Sequence, residues 1–359
     1  MLRIGVTGSG FMGRTHVEAA RRLGSTEVVA VAGGSRAAGL AADYGIDWET
    51  DSEALLTRPD IDAVVISTPH YCHLDEAMLA ADQGKHALVE KPLTTSLADC
   101  DSLITAFTDR QLTLAVGYHQ RFRESNRTVR DLVQSGAIGQ VRGIQMSALF
   151  DIEALRQDEG FGGGWNWWKD PRSVAHLMNS APHNVDLCRW WLKSEIHHVA
   201  AASGTYREEN PNENTTMALL VFDCGAIATF WSSSVCPSPG FPGEDFRFRI
   251  MGDQGLIDAN PFGAIQLGRQ GEWELVYEQP PVAFDDSQAA FTSDGRMQAY
   301  CDQMQAWVDR IEGGESDAGD AQDGRAGVAA VVGMLEASAC EGVVQLERST
   351  RAERGNDGQ

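Results

Sequence analysis

The chain has 359 residues, enough for two domains of ordinary size and a substantial core. Its 51 Asp and Glu against 29 Lys and Arg give a formal net charge of −22 with no basic patch, which argues against nucleic acid or an anionic membrane as partner. Seven scattered cysteines without a Cys-x-x-Cys pair, no secretory signal after Met1 and no apolar run of roughly 18 residues lead to the expectation of a soluble cytoplasmic protein with neither disulfide framework nor zinc site.

Ile4 and Val6 mark a first strand, and Gly8-Ser9-Gly10-Phe11-Met12-Gly13 follows it directly, leading into helical sequence from Thr15 to Leu23. This is Gly-x-Gly-x-x-Gly between a strand and a helix. The first glycine permits the turn, the second lets backbone approach a pyrophosphate, and the third lets helix pack on strand. The helix then offers its first N–H groups to phosphate. Glu27 to Ala32 form the next strand. A carboxylate for the ribose hydroxyls is usual at its end, but Gly33-Gly34-Ser35-Arg36 stands here. Ser35 can donate to a 2′-phosphate and Arg36 can pair with it or stack on adenine, so NADP is expected over NAD. Arg36 can equally be no more than the start of a helix over Ala37 to Tyr44.

Ile61 to Ser67 form a third strand, ending in Thr68-Pro69-His70-Tyr71-Cys72-His73. The His and Cys residues sit on one turn without a second ligand pair, so no metal is expected. Thr68 and Pro69 are placed beside the nicotinamide ribose, and His73 is expected to cap the helix Leu74 to Gln83, which Gly84 ends. Ala87 to Val89 are an apolar run too short for a helix, and Glu90-Lys91-Pro92 follows where that strand leaves the sheet. Ligands of open α/β sheets bind at that edge, which makes Lys91 the leading candidate for chemistry. Pro92 pushes the residue before it away from helical geometry and makes a cis Lys91–Pro92 bond an open option. A helix over Ser96 to Phe107 and a strand over Leu112 to Val116 lead to Tyr118-His119-Gln120-Arg121-Phe122. Strand and helix alternating through short loops imply a doubly wound parallel sheet over residues 1–120.

From residue 121 the pattern changes. A helix over Arg123 to Ser135 and a strand over Val141 to Phe150 are followed by a helix over Val185 to Leu192. Strands are then expected at His198–Ser203, Thr216–Phe222, Ala226–Ser233, Phe246–Gly252, Gly255–Ala259, Ala264–Leu267 and Trp273–Tyr277, as in a mainly antiparallel sheet. Helices near Gly295–Glu312 and Arg325–Glu341 close a second domain over 121–350. The acidic, glycine-rich Gly313–Gly324 reads as an exposed loop, and 351–359 as a disordered tail. Trp165 and Trp168, after the run Gly162-Gly163-Gly164, can wall the apolar face of a sugar ring or pack under the sheet. Trp190 and Trp191 read as core. Arg156, Lys169 and Arg172 carry charges that can meet polar substrate groups, with nothing to rank them.

The glycine loop, Thr68-Pro69 with His73, Gly84-Lys85-His86 running into Glu90-Lys91-Pro92, Gln120-Arg121-Phe122, and His183 followed by Asp186 together resemble the Gfo/Idh/MocA oxidoreductases. The resemblance covers nearly the whole chain. It implies an amino-terminal Rossmann domain and a carboxy-terminal α+β domain with an open, mainly antiparallel sheet whose outer face pairs subunits into a homodimer or homotetramer. It also implies a sugar, cyclitol or related polyol as substrate. The lysine of the Glu-Lys-Pro triplet and a downstream histidine then flank the reacting carbinol, helped by an aspartate four residues before the histidine. Those positions are Lys91, His183 and Asn179, so an amide stands where a carboxylate would support the imidazolium. Catalysis is assigned to Lys91, His183 and Asn179. Cofactor contacts are expected from Gly8, Ser9, Gly10, Phe11, Met12, Gly13, Ser35, Arg36, Thr68, Pro69, His70, His73, Glu90, Lys91 and Gln120. Substrate contacts are expected from Lys91, His119, Trp165, Trp168, Asn179 and His183. Glu90 can either pair with Lys91 or turn to backbone. Two rivals remain: an NAD-dependent glycosidase that oxidises its sugar transiently, and a nicotinamide-sensing regulator without turnover, which would need neither Lys91 nor His183.

Overall fold

The computed structural model describes residues 1–151, 170, 172–174, 176–206, 212–243, 246–280, 291 and 293–347. Trp165, Trp168, Arg156, Lys169 and the tail 351–359 lie outside them. Six strands of the first sheet are β1 (Leu2–Thr7), β2 (Thr26–Ala32), β3 (Asp47–Glu49), β4 (Ala63–Ile66), β5 (His86–Val89) and β6 (Leu114–Val116). They are parallel, in the order β6-β5-β4-β1-β2-β3. Between them run α1 (Phe11–Arg22), α2 (Ala37–Tyr44), α3 (Ser52–Leu56), α4 (His73–Asp82) and α5 (Leu97–Asp109). The short strands β4 and β5 are apolar at nearly every position because both faces are covered. Successive side chains point to opposite faces. Val64, Ile66, Ala87 and Val89 therefore enter one core, and Val65 and Leu88 the other.

The second half contributes α6 (Glu124–Gln134), β7 (Val141–Leu149), α7 (His176–Leu192), β8 (Ile196–Gly204), β9 (Thr215–Phe222), β10 (Ile227–Ser233), β11 (Arg247–Gly252), β12 (Leu256–Ala259), β13 (Ala264–Arg269) and β14 (Glu272–Glu278). After these come α8 (Asp294–Ile311), β15 (Gly319–Asp320), α9 (Ala321–Cys340) and β16 (Val343–Gln345). The second sheet runs β14-β13-β12-β11-β7-β10-β9-β8-β16. It is antiparallel except where β7 pairs with β10. Ile144, Met146, Leu220, Phe222, Phe230, Phe248 and Ile250 are buried on its inner face, which α7 and α9 approach. Met217, Leu219, Ile227, Met251 and Leu256 stand exposed on the other face.

The carboxy-terminal elements return to the first sheet. β15 pairs antiparallel with β6 as a seventh strand, so the sheet is not parallel throughout. This corrects the expectation of an exposed loop over Gly313–Gly324. Gly319 is buried beside Tyr118, and α9 starts at Ala321 on a capping box in which Asp320 and Asp323 each bind the other's backbone amide. Asp323 is buried against backbone and two guanidinium groups, which composition alone does not reveal. On α8, Met297, Tyr300, Met304 and Trp307 pack against the first domain, two of them around Ala19 of α1. Buried charges tie the turn after β6 to α7 and α9. Arg121 binds Asp186 through two nitrogens, at 2.8 and 2.5 Å, and reaches Asp323 at 2.9 Å, while Arg189 bridges Glu195 and Asp323. Trp191 is core, its indole N–H donating to the Asn126 carbonyl at 3.0 Å; Trp190 is half-buried under Arg130. No described helix is long and apolar enough to cross a membrane.

Candidate active site

The loops after β1, β2, β4, β5 and β6 gather at the carboxyl edge of the first sheet. Gly8 has φ +87°, and a side chain there would meet the Ser67 carbonyl at 2.6 Å. A Cβ on Gly13 would lie 1.8 Å from the Gly8 carbonyl oxygen, so only glycine lets α1 seat on the turn. Gly10, by contrast, faces open space with the Arg36 guanidinium 3.5 Å away. Among the described residues no side chain caps α1 and no acid lies in its first turn, so its amino terminus can face an anion. The Ser9 hydroxyl donates to the Gly33 carbonyl at 2.6 Å, tying this loop to the turn after β2. Ser35 is exposed and Arg36 immediately precedes α2. The loop therefore fits a dinucleotide.

After β4, the Thr68 hydroxyl donates to Glu76 at 3.1 Å, and His70 is buried, with burial and then the charges of His73 and Lys91 holding its imidazole well below the usual range. His73 does not cap a helix. It is the first residue of α4, and its two ring nitrogens lie 2.8 Å from the Pro92 carbonyl and 2.9 Å from the Thr68 carbonyl. The ring is fully buried, so it links the two loops instead of turning out to its own helix end.

Lys91 leaves β5 through a cis bond to Pro92. Its ammonium donates to the backbone carbonyl of Asn179 at 2.9 Å and to the Asn179 side-chain oxygen at 3.0 Å. Burial lowers its pKa from the ordinary lysine value, opposed by the charge of Glu90. Of the two options open for Glu90, the structure takes the backbone. One carboxylate oxygen accepts from the Lys91 amide at 3.2 Å, and the other meets His16 Nε2 at 2.8 Å. Burial would raise this carboxyl, but the His16 bond and the nearby positive charge outweigh it and hold it low. Gly117 leaves room for it, since a Cβ there would touch the carboxylate at 3.0 Å. His16, on α1, is a residue that sequence reasoning missed; it lies three positions beyond the glycine loop, hidden within an ordinary helical pattern.

Asn179 and His183 both lie on α7. This helix was expected to begin at Val185; it begins at His176 and carries Pro182 inside. Proline there removes one donor and crowds the carbonyl of Met178. One residue on, Lys91 binds the Asn179 carbonyl. His176, Asn179 and His183, spaced by three and four, share one face. His183 is half-buried, and its Nδ1 has no hydrogen-bond partner among the described residues. Burial, then the charges of Lys91 and Arg123, push its imidazole well below the usual range. His119 sits against it, ring centroids 4.8 Å apart, and stacks on Tyr300 at 4.3 Å. His119 is itself buried, its Nε2 3.2 Å from Gln120 and 3.3 Å from the Tyr300 hydroxyl. Gln120 in turn accepts from Asn126. Tyr300 comes from α8, nearly two hundred residues away in sequence, and nothing local in the sequence pointed to it. Arg172 pairs with Asp170 and covers Tyr71. Among the described residues, no three His, Cys, Asp or Glu side chains gather as a metal site.

A dinucleotide cradle on one side, and a lysine, an amide and an unprotonated imidazole on the other, define a nicotinamide-dependent oxidoreductase. Residues 2–118 match the family described as an oxidoreductase family with an NAD-binding Rossmann fold, Gfo/Idh/MocA, and residues 126–258 match the Gfo/Idh/MocA C-terminal domain. The chain belongs to this family. Inositol 2-dehydrogenase 2 of Saccharopolyspora erythraea is 27% identical over 355 residues, covering 96% of each chain. The 4-carboxy-2-hydroxymuconate-6-semialdehyde dehydrogenase of a Sphingobium species is 30% identical over 232 residues, 64% of this chain and 70% of that protein. The structure of levoglucosan dehydrogenase in complex with NADH and levoglucosan shares the fold, with a TM-score of 0.81 at 21% identity over 97% of this chain and 100% of that one.

Proposed function

We propose that the protein oxidises and reduces a secondary alcohol and its ketone on a sugar, cyclitol or related polyol, with Lys91 and His183 on either side of the reacting carbon. The observation that carries the reading is the fixed ammonium of Lys91, bound twice to Asn179 on the helix that also presents His183. Bound nicotinamide supplies the hydride acceptor. The protein orients the carbinol and moves its proton. In the oxidative direction, His183 takes the hydroxyl proton, for which burial keeps its imidazole neutral. Lys91 donates to the oxygen as negative charge develops on it, and Asn179 aims the ammonium. In the reductive direction, the same groups return the proton. The relatives named inositol 2-dehydrogenase and 1,5-anhydro-D-fructose reductase, the latter 26% identical over 300 residues, support the substrate class.

The cofactor preference is for NADP. No acid stands at the end of β2, and the Arg36 guanidinium lies over the middle glycine of the loop, where it can meet a phosphate. Titration of the protein with NADPH and NADH checks this: Arg36→Ala should weaken NADPH by about tenfold, as expected for a lost charged hydrogen bond, and NADH much less. A native preference for NADH would overturn it. The division into a cofactor unit over 1–120 and a substrate unit over 121–350, and self-association through the outer face of the second sheet, belong to the same proposal.

The deciding experiment follows reduced nicotinamide by absorbance over inositols, aldoses and anhydrosugars. Lys91→Met should abolish turnover of whichever polyol is oxidised while leaving cofactor affinity within about twofold, because the loss falls on the reacting oxygen and not on the cradle. Turnover retained in Lys91→Met would remove Lys91 from the chemistry.

A further inference from the structure

The first residue of α7 has no role in the chemistry above, yet it is built into the same face. His176 precedes Asn179 by three residues and His183 by seven, so along the helix axis it stands about 4.5 Å and about 10 Å from them. Its ring is half-buried and packs edge-on against Phe150, centroids 5.5 Å apart. Its Nε2 lies 3.0 Å from the hydroxyl of Ser232 on β10, and that hydroxyl lies 2.8 Å from the hydroxyl of Ser180. Ser232 is fully buried, and among the described residues its hydroxyl meets these two neighbours.

We propose that His176 binds a second hydroxyl of the substrate, on the side of the ring away from the reacting carbon, through the ring nitrogen that Ser232 does not occupy. This rests on the polyol reading. The distance along α7 separates the two tasks: Lys91 and His183 handle the carbinol, and His176, a turn beyond Asn179, meets a more distant oxygen. Nδ1 makes no hydrogen bond among the described residues, which leaves it for the substrate. Burial, then the charge of Lys91, push this imidazole down to about 4, so the ring is neutral in ordinary buffers.

A neutral imidazole has one donor and one acceptor, and the serine pair decides which faces outward. When Ser232 donates to Nε2, Nδ1 carries the proton and donates. When Ser232 donates to Ser180, Nε2 carries the proton, bonds to the Ser232 oxygen, and Nδ1 accepts. Rotation of two hydroxyls, with the tautomer following, therefore lets one nitrogen meet a hydroxyl in either sense. Such a group discriminates in favour of a hydroxyl over a hydrogen at that carbon, because a buried polar edge left without a partner is costly.

The test uses the full-length protein, the best polyol of the panel and its series of monodeoxy analogues. His176→Ala should raise KM for the polyol about tenfold with kcat changed less than about threefold, the loss of one hydrogen bond in binding. On one deoxy analogue, the one lacking the contacted hydroxyl, wild type and His176→Ala should have the same KM. Ser232→Ala should raise KM in the same pattern but less, and His176→Gln should recover part of the loss. A KM unchanged in His176→Ala, or one raised equally on every analogue, would overturn the assignment and leave His176 as a tie between α7 and β10. Should His176→Ala fail to fold, His176→Gln and Ser180→Ala give the same comparison across the analogues. Failure of the wild-type protein to oxidise any polyol would instead remove the polyol reading, and this assignment with it.

Discussion

Asn179 sets what His183 can do. A carboxylate at that position would stabilise an imidazolium and bring its pKa up; an amide leaves burial and the charges of Lys91 and Arg123 to act unopposed. If His183 is the base, as proposed, it must be neutral to take a proton, so activity in alcohol oxidation is lost when falling pH protonates it. The acid limb of kcat/KM should accordingly lie well below the ordinary histidine value of about 6.5, leaving the profile flat across neutrality. Asn179→Asp should move that limb upward, and a limb that stays in place in this variant would show that the titrating group is not His183. The positions of Lys91, Asn179 and His183 were legible because short motifs carry them. Their partners were not. His16 meets Glu90, and Tyr300 meets His119, across separations in sequence of 74 and 181 residues, and no periodicity encodes such contacts.

Among the elements, α7 departs most from its expected form. Its expected start was Val185, but the helix begins nine residues earlier, at His176, and carries Pro182 inside it. Tertiary contacts hold the added turns: Lys91 binds the Asn179 carbonyl, and Glu213 accepts the Leu177 amide at 2.6 Å at the helix start. Glu213 has its own signature. Burial raises its carboxyl to about 7, against the backbone bonds that favour the ionised form. The folded protein thus retains a proton that the unfolded chain releases near pH 4.5, so the group's contribution to stability is largest below that value and declines as pH rises toward about 7. Glu213→Gln keeps the acceptor for Leu177 and removes the ionisation. Its melting temperature should exceed that of the wild type above neutrality, with the two converging near pH 4.5. Equal melting temperatures at both ends would place the titration elsewhere. The βα alternation of the first half matches the expectation to within about two residues at most boundaries, except that α1 starts at Phe11, four residues before the expected Thr15. β3, α3, β15 and β16 were missed, since strands of two or three residues and a five-residue helix carry too little pattern to register.

For the molecule as a whole, the two-sheet architecture followed from the switch in patterning near residue 120, and burial alternates along β9 and most of β10. That alternation leaves Met217, Leu219 and Ile227 exposed on neighbouring strands, an apolar face with no partner among the described residues. Sedimentation should show a dimer or tetramer, and Leu219→Asp should shift it toward monomer, since a charge on that face would have to be buried unpaired. A monomeric wild-type protein would mean that this face serves something else.

The return of the chain to its first sheet bears on how the protein is made. Synthesis proceeds from the amino terminus, and early domains commonly fold as they emerge. Here the cofactor loop is complete within the first few residues, but the edge of β6 waits for β15, and the back of α1 for Met297, Tyr300, Met304 and Trp307. A ribosome must deliver the chain as far as β15 before the unit that emerges first is covered on every side. Until then the nascent chain carries an unpaired strand edge and an apolar helix flank, the surfaces that chaperones recognise.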